Sequence, residues 1–257
     1  MIEPELLLLA YRSGIFPMAD TRDDPDVFWV EPRLRAILPL HGFHLSKSLA
    51  RTLRRGRFEV TCNAAFAEVV EACAAPRPSD KEEGGESWIS HRIAVSYENL
   101  HRLGQAHSIE CWQIGEDGAR VLVGGLYGVG FDGVFCGESM FSRERDASKV
   151  ALAWLVAAMR RARCRLLDCQ FLTAHLASLG AVEISQKRYL ALLQEAQRAY
   201  SAAGEAVGVG AGDGVAGGEG RAVDVPEGFA ALLEDAAEAG FASSPGKLIA
   251  QRLIQTS

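Results

Sequence analysis

Three strand-like runs follow one another between residues 106 and 142: HSIECWQIG, VLVGGLYGVGF and GVFCGESMF. Short turns, EDG and FDG, separate them. Apolar and polar residues alternate along each run, as on a strand with one buried face. A meander of three antiparallel strands is therefore expected. The next two segments of the chain narrow the fold further. DASKVALAWLVAAMRRA (146–162) has helical periodicity with Asp146 placed as its N-cap, and LLDCQ (166–170) reads as one more buried strand. Strands, a helix, a strand and more helices on one sheet predict an α+β domain over residues 61–200.

The rest of the chain organises around that block. LLLLAYRSG suggests a helix ending near Gly14, with Pro17 barring its continuation. FWVEPRLRAILPL suggests a turn and a short strand, so residues 1–60 are expected to form a small N-terminal α+β domain. RFEVTCN reads as a strand, NAAFAEVVEACA as a helix capped by Asn63, and PRPSDKEEGGES as a polar loop. AVSYENLHRLG reads as a helix closed by Gly104. Short helical TAHLASLG and longer KRYLALLQEAQRAYSAA come after LLDCQ. Residues 201–225 are glycine-rich and predict a flexible linker. Its GVGAGDG is no phosphate loop, because no strand leads in and no helix leads out. Residues 226–257 are a C-terminal extension with a short acidic helix and a final apolar stripe that should dock on the body.

Charge is unevenly spread. The net charge is −6, but residues 201–240 carry eight acidic residues and one Arg, leaving the remainder slightly positive. Two basic clusters stand out: HLSKSLARTLRRGR (44–57) and RRARCR (160–165). In the first, Lys47, Arg51, Arg54 and Arg55 share one helical face while Leu45, Leu49 and Leu53 share another, with Ser46 as a cap. From charge alone this is either a phosphate-gripping helix or a solvated surface helix. The six cysteines form no C-x-x-C pair and sit in apolar surroundings, so free buried thiols in a reducing, cytoplasmic setting are expected, with no metal. No apolar run reaches membrane-spanning length.

The chemistry concentrates in LLDCQ. Asp168 and Gln170 are two residues apart, so a regular strand points both to one face. A buried carboxylate is costly unless paired or hydrogen-bonded. Either the two are structural caps, or both look into a site.

Four stretches taken together carry a resemblance: YRSGIFPM (11–18), HSIECW with VGGLYGV, FCGESMFSRERDASKVAL (135–152), and LLDCQFLTAHLASLGAVEISQKRYL (166–190). In order and spacing they resemble the leucyl/phenylalanyl-tRNA–protein transferases of bacteria. The resemblance implies transfer of Leu, Phe or Met from aminoacyl-tRNA to proteins that begin with Lys or Arg, marking them for degradation. It implies a catalytic domain with the GCN5-type N-acetyltransferase fold, a mixed sheet flanked by helices. Asp168, Gln170 and Glu138 fall on its catalytic positions. Trp29, Trp88, Leu126, Phe135, Met140 and Leu167 fall on positions lining its aminoacyl side-chain pocket, and Leu176 stands where Thr is frequent. The helix bearing Lys47, Arg51, Arg54 and Arg55 lies where the family contacts tRNA. A cytoplasmic monomer without cofactor is expected, aminoacyl-tRNA being the donor.

The implied reaction is aminolysis of an ester. The ester is already activated, so positioning and modest base help suffice. Gln170 is expected to orient the amine and Asp168 to handle its proton or charge. Glu138 is expected to pair with the acceptor's cationic N-terminal residue, and backbone N–H groups near 136–140 to stabilise the oxyanion. His107 reads as structural. An acyl-CoA donor fits less well, since SRERDAS lacks the glycine pair of a pyrophosphate loop. A non-catalytic tRNA-binding protein is the third reading, and Asp168, Gln170 and Glu138 together argue against it. The C-terminal tail reads either as a partner-binding element or as an acidic segment that competes with tRNA for the basic helix.

Overall fold

The structure, a computed structural model, describes residues 1–76, 87–115, 118–208 and 224–254. Most of the polar loop expected at 76–87 and of the linker expected at 201–225 lies outside them, as do Glu116 and Asp117 of the expected EDG turn. Helix α1 (Pro4–Arg12) opens the chain and buries Leu7 and Tyr11. Strands β1 (Phe16–Met18) and β2 (Phe28–Val30) then pair as a small antiparallel ribbon.

Seven strands form the main sheet, in the order β4-β5-β6-β7-β8-β3-β9. They are β3 (Leu34–Ile37), β4 (Glu59–Cys62), β5 (Ala106–Ile114), β6 (Arg120–Phe131), β7 (Val134–Ser142), β8 (Leu166–Gln170) and β9 (Val182–Ser185). The expected β5–β6–β7 meander is present, closed between β6 and β7 by the Asp132–Gly133 turn. Pairing is antiparallel throughout except between β7 and β8. That exception comes from the crossover helix α5 (Ala147–Arg161), which returns the chain to run beside β7 in the same direction. The sheet crosses the domain boundary expected at residue 60, because β3 lies inside it between β8 and β9. Strand β9 escaped the sequence reading: four residues are too few to show a period.

Each face of the sheet carries its own core. On one lie α5, the basic helix α2 (Lys47–Arg54), and the C-terminal helices α8 (Val225–Glu238) and α9 (Gly246–Ile254). On the other lie α1, α3 (Phe66–Ala74) and α4 (His91–Arg102). Successive residues of β6 show the alternation: Leu126 enters the first core and Tyr127 the second. A short helix α6 (Ala174–Ser178) and a long one, α7 (Gln186–Gly208), flank β9. The last turns of α7 occupy residues 201–208, where linker was expected.

Two expected caps are made otherwise. Helix α3 begins at Phe66, and Asn63, with φ +60°, turns its side chain to β5, where Oδ1 accepts from the Ser108 N–H at 3.0 Å. Asp146 precedes α5 but makes no side-chain cap; Ser142 Oγ accepts from the Ser148 N–H at 3.2 Å. Ser46 does cap α2, accepting from the Leu49 N–H at 3.2 Å. All six cysteines are free thiols. Among the described residues, no helix is long and apolar enough to cross a membrane.

Candidate active site

Strands β7 and β8 pair at three positions, the last joining Cys136 to Asp168, and then part. Gly137 and Glu138 come next on one strand, Cys169 and Gln170 on the other, and all four line a cavity of about 780 Å³ that opens there. A bulge places Glu138. Tyr127 pairs with Ser139 and Gly128 with Gly137, so Glu138 has no partner across the ladder and is re-aimed. Gly128 permits this crowding: a Cβ there would lie 2.2 Å from the Cys136 carbonyl oxygen.

Around Glu138 runs a chain of hydrogen bonds. Gln170 Nε2 donates to one carboxylate oxygen at 3.0 Å, and the Tyr97 hydroxyl donates to the other at 2.8 Å. Tyr11 and Tyr97 share a hydroxyl–hydroxyl bond of 2.6 Å behind it. Burial pushes Glu138 up to about 7, against the opposing pull of the tyrosine hydrogen bonds. Near neutral pH this carboxyl therefore exists in both protonation states. The Gln170 amide nitrogen is committed to Glu138. Among the described residues no donor reaches its carbonyl oxygen, which is left to accept from an incoming group.

Asp168 does not look into the cavity. It is fully buried and faces Arg35, whose Nε and Nη2 reach its two oxygens at 2.8 and 2.6 Å. The Tyr189 hydroxyl and the Gln170 backbone N–H donate to the same carboxylate at 3.2 and 3.0 Å. Four donors satisfy the charge, and the last of them fixes Gln170, whose φ of +53° turns the chain at the end of β8. Burial works against the Arg35 charge, but the Asp168 carboxylate outweighs it and holds the guanidinium above its ordinary range. Arg35 lies between the rings of Phe16 and Tyr189, 4.6 and 4.5 Å from their centroids. So the expectation that both residues of LLDCQ face the site holds for Gln170 alone.

Of the expected pocket residues, Trp88, Leu126, Met140 and Leu167 line the cavity, as does Leu176. Phe135 is fully buried in the core beneath it. Trp29 sits on β2, 41% exposed and outside the lining. Its strand places Phe16 and Met18, on the partner β1, in the wall instead. Leu152 and Leu155 from α5 and Phe171 after β8 complete the apolar surface. Sequence reasoning missed Arg35, Tyr97 and Tyr11. Only Arg35 left a signal, as a lone charge inside the apolar run LRAIL. His107 is buried, and burial pushes its imidazole down to about 4; Asn63 Nδ2 meets its Nδ1 at 3.1 Å, a structural arrangement.

Lys47, Arg51 and Arg54 of α2, and Arg55 at its C-cap, are all exposed. Among the described residues none of the four is paired with a carboxylate. The second basic cluster is partly committed: Arg161 pairs with Asp235 of α8 at 2.8 Å, as does Arg252. The described part of the acidic tail thus lies against arginines other than those of α2.

Comparison with known proteins gives a concordant result. The model of the leucyl/phenylalanyl-tRNA protein transferase family matches residues 37–194, and that of its N-terminal domain matches residues 1–33. Only residues 34–36, most of β3, fall between the two matches. A leucyl/phenylalanyl-tRNA–protein transferase of Novosphingobium aromaticivorans is 63% identical, with 100% of this chain and 97% of that protein covered. One of Rhizorhabdus wittichii is 55% identical over 84% of this chain and 80% of its own length. One of Zymomonas mobilis is 52% identical over 78% and 71% respectively. A cavity walled by apolar side chains, with a glutamine–glutamate pair at the parting of two strands, thus belongs to an aminoacyltransferase, and the chain is a member of the leucyl/phenylalanyl-tRNA–protein transferase family.

Proposed function

We propose that this protein transfers Leu, Phe or Met from aminoacyl-tRNA to the N-terminal amine of proteins beginning with Lys or Arg, marking them for degradation. The observation that carries the reading is the juxtaposition of an apolar cavity with the Gln170–Glu138 pair at its edge. An unbranched apolar side chain fits such walls, and the flexible Met18 and Met140 adapt to more than one. Among the described lining residues Glu138 is the one carboxylate, so a cationic acceptor meets negative charge there.

The chemistry then needs few parts. An α-ammonium of pKa near 8 gives its proton to ionised Glu138 with little penalty. The neutral amine, held by the Gln170 carbonyl oxygen, attacks the ester carbon. The N–C bond forms, the C–O bond to ribose breaks, the nitrogen gives a second proton to the departing ribose oxygen, and Glu138 releases the first to solvent. Asp168 acts from behind, as a positioning residue that holds the Gln170 backbone. No cofactor enters, because the ester is already activated. The basic face of α2 is where the tRNA backbone binds.

The test is transfer of labelled leucine from leucyl-tRNA to a protein beginning with Arg, beside an otherwise identical protein beginning with Ala. Labelling of the first alone, lost in Gln170→Ala, is expected. Failure of well-folded wild type to label either would overturn the reading and make acyl-CoA donors the next candidates.

A further inference from the structure

The family match ends at residue 194, and helices α8 and α9 lie beyond it. The cavity does not use them, since none of its lining residues comes from either helix. They pack on α5 and α2 instead. Leu232, Ile249, Ala250 and Leu253 share one core with Leu49, Leu53 and Trp154.

Helix α2 needs such support. It has eight residues, and isolated helices shorter than about 12–15 residues are marginal in water. Like charges one turn apart on its outer face, among them Lys47, Arg51 and Arg55, repel and weaken it further. The C-terminal segment meets the end of this helix directly. Ser244 Oγ donates to the Arg54 carbonyl at 3.5 Å, one of the carbonyls a helix end leaves unpaired. Gly246 sits so close that a Cβ would come within 2.3 Å of the Leu53 carbonyl oxygen. At the far end of α9, Arg160 donates from Nη1 to the Arg252 carbonyl at 3.3 Å and from Nε to the Leu40 carbonyl at 2.7 Å. Leu40 belongs to the short turn Leu40–Gly42 that precedes α2, so Arg160 ties the far end of α9 to the segment leading into α2.

We propose that α8 and α9 form a positioning element for tRNA binding, holding α2 so that its four cations meet the RNA backbone as one preformed surface. A surface that must order on binding loses affinity to that ordering, and the extension removes the loss. The inference rests on the tRNA-dependent reading above. It predicts an effect on the tRNA body and none on the chemistry.

Two full-chain variants test it. Gly246→Val wedges α9 from Leu53, and Ile249→Ala opens a cavity in the shared core without a clash. Each is measured with leucyl-tRNA and with a leucyl-adenosine ester that lacks the tRNA body. For Gly246→Val, Kd and KM for leucyl-tRNA should rise about tenfold, with a smaller rise for Ile249→Ala and kcat and the adenosine-ester rate unchanged. In an Arg51→Ala/Arg54→Ala background the rise should shrink, because the extension acts through those cations. Unchanged tRNA affinity in both folded variants would overturn the proposal. So would equal losses with the two donors, or a full effect in the background lacking the arginines. If wild type binds no leucyl-tRNA, the tRNA-dependent reading itself fails, and that outcome is distinct from all of these.

Discussion

Arg35 and Asp168 are buried together, and neither charge is tolerable there alone. Removing the cation leaves a carboxylate with two donors in place of four. Arg35→Ala should therefore cost about 3–5 kcal/mol of stability, read by urea unfolding. The paired change Arg35→Met with Asp168→Leu should recover most of that stability yet transfer poorly, because Gln170 loses the oxygen that holds its N–H. Glu138 gives the second prediction at this scale. Its carboxyl titrates near 7 in the folded protein and near 4.5 when unfolded. Between those values the native state holds a proton that the unfolded chain has released. The stabilisation is complete below pH 4.5 and is lost as pH rises through 7, on the order of 3 kcal/mol in all. Glu138→Gln should flatten this slope, so that wild type loses stability relative to it as pH passes from 5 to 8. An unchanged slope would mean that water reaches the carboxyl. Asp168 and Gln170 were legible in the sequence as polar residues inside an apolar strand, whereas Glu138 was reached only through the family resemblance. The partner of Asp168 was not, since a contact across 133 residues leaves no local spacing to read.

At the scale of elements, the site is made by two strands that stop pairing. The bulge in β7 turns Glu138 toward the opening, and the close approach at Gly128 permits the bulge. Gly128→Ala puts a methyl against the Cys136 carbonyl and the Phe135 ring, so the bulge must move. We expect overpacking of roughly 1–3 kcal/mol and a fall in kcat larger than the change in KM for tRNA, since Glu138 shifts while α2 does not. A kcat at the wild-type value would detach the bulge from catalysis. The meander and α5 were legible because long elements repeat their pattern. The place of β3 between β8 and β9 was not, because four residues fix a conformation but not a neighbour. The misassigned caps share one cause. Asn63 and Asp146 have the right chemistry, but both adopt positive φ; Asp146 precedes α5 directly while another group does the capping, and Asn63 lies three residues ahead of α3 with its side chain taken by β5. Ser46 stays extended, at φ −61° and ψ 153°, and caps as expected.

For the whole molecule, the sheet separates two cores, and the cavity opens where its middle strands part. Helix α5 is wrapped by the sheet on one side and by α8 and α9 on the other, which is why all but three of its fifteen residues are buried. That burial is the reason a stretch beyond the family match cannot be a loose appendage. Phe229 of α8 packs against Trp154, deep in α5, with ring centroids 5.1 Å apart and planes tilted by 36°, and Gly228 comes close to the Ala158 carbonyl. If the extension belongs to the same cooperative unit, damage at Phe229 must be felt by the whole. Phe229→Ala removes a buried ring from that junction and should cost about 3–5 kcal/mol. Heating should then show one transition at a lower temperature, with tryptophan fluorescence and calorimetry coincident. Two separate transitions, the first confined to the C-terminal helices, would instead make the extension an independent module. The support it gives to α2 would then be lost at temperatures where the catalytic cavity is still intact, and transfer from leucyl-tRNA would fail before transfer from leucyl-adenosine.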